Sequence, residues 1–136
     1  MRKGIIITIA IIACIFFIGA SRREPHQEEI DFVGQGFVKM SATAYCVGHH
    51  TADGSAVFEG GCASSLDHIG DVAIVYTLDN EFLGYLICND TGKEGGGVRA
   101  GNVLDIYKSD LESCQELMTL LGKQQKVWVK WIEGNG

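Results

Sequence analysis

The residues from Gly4 to Ala20 carry no charge and are nearly all Ile, Ala and Phe, with Arg2 and Lys3 directly before them. No other feature constrains the chain as much. A helix that is apolar on every face does not sit half-buried on a small domain. A basic start, an apolar run and small residues at its end are the layout of an export signal. At a rise of about 1.5 Å per residue the run reaches ~25 Å, marginal for the hydrocarbon core of a bilayer. Three fates fit it: a retained membrane anchor, a signal peptide cleaved after Ala20, or a lipoprotein signal in which Ile11-Ile12-Ala13 leads to an acylated Cys14. Ile18 is larger than the residue preferred three positions before a cleavage site, and the apolar run continues past Cys14. Arg2 and Lys3 favour an inside N-terminus, although Arg22 and Arg23 add positive charge on the far side. All three fates leave the rest of the chain extracytoplasmic, membrane-anchored through residues 4–20 or secreted.

What remains is enough for one domain. The chain has 136 residues, within the range of a single hydrophobic core. Its formal charge of −6 is unevenly spread. Arg2, Lys3, Arg22 and Arg23 hold four of the eleven cations, and no acid precedes Glu24, so the remainder sets seven cations against seventeen acids. Phosphate contacts need a basic surface, so a nucleic-acid partner is excluded. Residues 21–36 are polar, hold the only Pro and end in Gly34-Gln35-Gly36, the composition of a linker. Five cysteines make an odd set. Cys14 falls in the signal segment, which leaves Cys46, Cys62, Cys88 and Cys114. Outside the cytoplasm two disulfides are expected, with three connectivities open; in an anaerobic setting the alternative is four free thiols.

From Phe37 the pattern changes. Val38, Met40, Ala42 and Ala44 alternate with Lys39, Ser41, Thr43 and Tyr45, a period-two strand. Residues 46–61 read as a long loop. Val72–Leu78 and Phe82–Cys88, joined through Asp79-Asn80, read as a hairpin. Residues 91–102 form a Gly-rich loop, and Val103–Tyr107 is a short strand. Ser109 with Glu112 predicts a capping box for a helix carrying Leu111, Cys114, Leu117, Met118 and Leu121, stopped at Gly122. Val127–Ile132 is the last strand, with Val127, Val129 and Trp131 on one face and Trp128 on the other. About six short strands with one late helix predict a small β-barrel rather than a sandwich or an α/β fold.

Two acids stand out by context. Asp90 lies where the apolar Phe82–Cys88 strand meets the Gly loop, and Asp105 lies between Leu104 and Ile106. A carboxylate in such a setting pairs, accepts hydrogen bonds or titrates upward. A raised carboxyl is what a general acid for glycoside cleavage requires. The plainer alternatives are a turn residue for Asp90 and a solvent-facing strand residue for Asp105. Cys46, His49, His50 and Cys62 match no defensible zinc spacing, so no metal and no other cofactor is expected.

Five segments carry a resemblance. Ala44-Tyr45-Cys46, Thr51-Ala52-Asp53-Gly54, Cys62-Ala63-Ser64-Ser65, Asn89-Asp90-Thr91-Gly92 and Gly101-Asn102-Val103-Leu104-Asp105-Ile106-Tyr107 occur in the order of the 3D (three-aspartate) domain. That family is similar to the catalytic barrel of MltA-type lytic transglycosylases and to stationary-phase muralytic proteins. The resemblance covers residues 37–132 and implies a six-stranded double-psi β-barrel with one short helix near the C-terminus. It implies Asp90 and Asp105 as catalytic residues, with Tyr45, Thr51, Ser65 and Thr91 lining a substrate groove. The family's first aspartate is absent: Ser64 or Ser65 takes its place unless Asp67 shifts in, and Lys93–Gly97 lengthens the loop between the other two.

The implied reaction is cleavage of the MurNAc–GlcNAc β-1,4 bond of peptidoglycan with a 1,6-anhydro product. The expected partners are peptidoglycan glycan strands and the membrane, for a monomer encoded by a bacterium or a phage. A non-catalytic glycan-binding barrel is the alternative.

Overall fold

The computed structural model describes residues 30–47 and 51–134. The segment read as an export signal, most of the stretch read as a linker, and His49 and His50 lie outside the described residues. Six strands run β1 Val38–Tyr45, β2 Gly61–Ser64, β3 Val72–Thr77, β4 Phe82–Thr91, β5 Val103–Tyr107 and β6 Lys126–Ile132, with one α-helix, α1 Leu111–Leu121, before the last. They close into a barrel in the order β1-β5-β2-β4-β3-β6. β1–β5 and β2–β4 are parallel; β1–β6, β2–β5, β3–β4 and β3–β6 are antiparallel. Exchanging β1 with β4, β2 with β5 and β3 with β6 maps each pairing onto one of the same sense. The two halves are thus topologically equivalent without a sequence repeat, an arrangement compatible with a double-psi barrel.

Alternation builds the core. Met40 and Ala42 of β1, Ala73 and Val75 of β3, Leu86 and Cys88 of β4, Leu104 and Ile106 of β5, and Val127 and Val129 of β6 point inward and are buried together with Cys62 of β2. Leu117 and Leu121, one turn apart on α1, join the same cluster. Trp131 packs against it from β6 and stacks on His68 at 3.9 Å between ring centroids. The sheet's outer face is also covered in part. Phe32 is buried there, stacked on Trp128 at 5.3 Å and edge-on to Phe37 at 5.2 Å. Phe32 lies within the stretch read as linker, so the described part of that stretch is packed on the barrel.

The structure departs from the sequence reading in three places. Asp110, not Ser109, is the N-cap of α1: its backbone is extended and its carboxylate accepts the Ser113 N–H at 2.7 Å. β4 continues through Asn89, Asp90 and Thr91, which composition assigned to a turn and a loop. The sixth strand, not located by pattern, is Gly61–Ser64. All four of its residues are buried, because it lies between β4 and β5 with the covered surface on both sides.

Candidate active site

The site is built on a row of side chains across four adjacent strands. In register, Thr43 of β1 lies opposite Asp105 of β5, Asp105 opposite Ala63 of β2, and Ala63 opposite Asp90 of β4. Residues paired in a ladder share a face. Since Leu104 and Ile106 point into the barrel, Asp105 points out, and the row follows it. Ala63 is only a methyl group between the two carboxylates.

A β-bulge puts Asp90 in this row. Cys62 pairs with Cys88, but Ala63 pairs with Asp90, so Asn89 is an extra residue on β4. Cys88 faces inward and is fully buried. Without the extra residue, Asp90, two positions on, would face inward too. Asn89 is held by its Nδ2, which donates to Ser55 Oγ at 3.2 Å. Asp90 Oδ1 accepts the backbone N–H of Thr91 at 2.8 Å and that of Ala52 at 3.0 Å. The 51–55 loop therefore reaches over to the end of β4 and fixes the carboxylate's orientation.

Asp105 has a different environment. Thr43 Oγ1 donates to its Oδ1 at 2.9 Å. Burial holds the Asp105 carboxyl above its ordinary range, the Thr43 hydroxyl pulls it down, and the Asp90 charge pushes it up again. Tyr45, two residues past Thr43 on the same face, packs edge-on against Tyr107 at 5.3 Å. Its phenol is pushed far up, first by burial and then by Asp90 and Asp105, so it stays protonated. The Tyr45 hydroxyl is buried without a hydrogen-bond partner among the described residues, as are the hydroxyls of Ser64 and Thr91. Tyr45 is on the face of the two carboxylates, whereas Ser64 and Thr91, paired with each other one step beyond Ala63 and Asp90, are on the opposite face.

The other expected groove residues divide. Thr91 ends β4 next to Asp90, but it pairs with Ser64 and so lies on the opposite face from the carboxylate. Thr51 is buried and its hydroxyl donates to Asp53 Oδ1 at 2.6 Å, so it shapes the 51–55 loop. Ser65 follows β2 as the extended residue before a single 3-10 turn, Leu66–His68, and lies beneath Gly101 of the Gly-rich loop. Asp67 is exposed on that turn. Thr43 and Ala63 were not singled out from the sequence. The β1 alternation carries the signal for Thr43, since it sets Thr43 and Tyr45 on one face. Nothing local marks Ala63.

Among the described residues no group of three or more His, Cys, Asp or Glu side chains is arranged to hold a metal. The four cysteines Cys46, Cys62, Cys88 and Cys114 are free thiols, so the expected disulfides are not formed in this structure. Among the described residues no helix is long and apolar enough to cross a membrane. Two surface clefts flank α1, one lined by Glu112, Gln115 and Thr119 and the other by Leu83, Lys108 and Leu117; neither holds an aspartate of the row. No protein-family model matches the chain, and no curated protein matches it.

Proposed function

We propose that this domain is a lytic transglycosylase of peptidoglycan, acting on glycan strands outside the cytoplasm. The observation that supports it most is the row Thr43–Asp105–Ala63–Asp90, two carboxyls of unequal environment on one outer face. The resemblance of the same segments to three-aspartate domains supports it independently. Cleavage of the MurNAc–GlcNAc bond with anhydro closure needs a single group that is first acid and then base. Asp105 suits that role, because its burial and the Asp90 charge both favour the protonated form. It protonates the glycosidic oxygen as the bond breaks. The resulting carboxylate then takes the proton from the sugar's own 6-hydroxyl as that oxygen closes on the anomeric carbon. No water is activated, so the carboxyl spacing that hydrolases need does not apply. Asp90 acts by its charge and by accepting sugar hydroxyls, and Tyr45 offers a neutral O–H donor.

Incubating the full chain with purified peptidoglycan and reading the soluble products by mass spectrometry tests this. Anhydro-muropeptides from the wild type, absent with Asp105→Asn and strongly reduced with Asp90→Asn, are the expected result. A folded wild type that binds glycan and releases no anhydro product overturns it. That outcome would favour a non-catalytic glycan-binding barrel, the reading suggested by the absence of the family's first aspartate.

A further inference from the structure

The four thiols of the domain fall on two pairs of adjoining elements. Cys62 of β2 and Cys88 of β4 are direct register partners on adjacent parallel strands, both fully buried. Adjacent strands lie ~4.8 Å apart, inside the Cα separation a disulfide accepts. Both side chains belong to the same buried core cluster inside the barrel. The other two cysteines lie on adjoining elements: Cys114 is buried on α1, which packs against β1, and Cys46 is the residue that follows β1.

We infer that Cys62–Cys88 and Cys46–Cys114 are the sites of two intrachain disulfides, formed when the chain folds in an oxidising compartment. Either crossed connectivity would pull Cys62 and Cys88 out of the β2–β4 ladder, breaking the pairing that carries Ala63 and Asp90. The structure as described is the dithiol form. Its oxidation needs an acceptor, for which a small disulfide such as oxidised glutathione serves. For each bond a thiolate attacks the acceptor, one glutathione leaves, and the second protein thiolate displaces the other. Two thiol protons and two electrons pass to the acceptor, which ends as two thiols.

The consequence bears on the site. Cys62 precedes Ala63, Cys88 is two residues before Asp90, and Cys46 follows Tyr45. One bond would staple β2 to β4 beneath the aspartate row, and the other would tie the end of β1 to α1. Tyr45, Ala63 and Asp90 would then each sit within two positions of a covalent link.

The test is to fold the full chain in detergent with a reduced and oxidised glutathione couple, block remaining thiols by alkylation, and digest the folded fraction with trypsin and glutamyl endopeptidase. These enzymes cut after Glu59, Glu81, Lys93 and Lys108, so each of the four cysteines falls on its own peptide. The expected map has a Cys62–Cys88 peptide pair, a Cys46–Cys114 peptide pair and Cys14 alkylated alone, with the protein lighter by four hydrogens. Four alkylated domain cysteines overturn the inference, and so does any crossed pairing or any bond to Cys14. The readout is independent of glycan cleavage, so an inactive protein with this map leaves the pairing standing and removes only the enzymatic reading.

Discussion

Thr43→Val isolates the smallest unit of the proposed chemistry. The substitution keeps the shape and β-branching of the side chain and removes one hydroxyl. That hydroxyl donates to Asp105 Oδ1 at 2.9 Å. A hydrogen bond to a charged group is worth ~1.5–3 kcal/mol, and solvent at this half-buried site reduces it to about 1 kcal/mol. The bond serves the ionised carboxylate, so its loss disfavours ionisation by that amount, about fivefold in the acid dissociation equilibrium. Asp105 already titrates above its ordinary range, and the variant moves it further the same way. If protonated Asp105 starts the reaction, activity falls as pH rises through its titration. The alkaline limb of the rate of anhydro-muropeptide release then shifts to higher pH in Thr43→Val and returns in Thr43→Ser. Carbon-13 NMR of the labelled Asp105 carboxyl follows the same titration without substrate. A limb that stays in place while the NMR titration moves up would refute Asp105 as the acid. An NMR titration that moves down would refute the electrostatic account of the site.

Three further outcomes follow from the same geometry. Asp105→Asn should abolish cleavage yet stabilise the fold near neutral pH: the unfolded chain ionises at a lower pH than the folded one, so wild type loses stability as pH rises through that window, and below it the two proteins should unfold alike in a denaturant series. Leu104→Ala, at a fully buried position next to Asp105, should cost ~3 kcal/mol in urea unfolding, through lost burial and an unfilled cavity. Asp110→Ala should lower the thermal midpoint while Ser109→Ala leaves it nearly unchanged, because only Asp110 caps α1.

Much of the barrel was legible because its strands obey period two. β1 and β6 alternate cleanly enough that Met40 and Ala42 of the one and Val127 and Val129 of the other match the observed core. The helix was legible for the same reason at its own period, and Gly122, with φ of 68°, stops it as expected. β2 was not legible. Four residues are too few for a period to show, and a strand covered on both faces has no polar side to alternate with. The cap of α1 moved by one residue because Ser109 and Asp110 are both good caps, and only backbone geometry chooses between them.

The candidate site shows the same division. Asp90 and Asp105 were conspicuous as acids in apolar surroundings, and Tyr45 was placed beside them by resemblance. Composition and local pattern alone determined the apolar character of residues 4–20, the acidic balance of the rest of the chain, the barrel class and the two conspicuous aspartates, because each depends on residues near in sequence. That Asp90 and Asp105 share one face was decided only by the tertiary structure. It depends on a four-residue strand between them and on one extra residue, Asn89, that turns Asp90 outward. The same register sets Cys62 against Cys88. Pairings of this kind arise from closing a sheet on itself, and no stretch of local sequence encodes them.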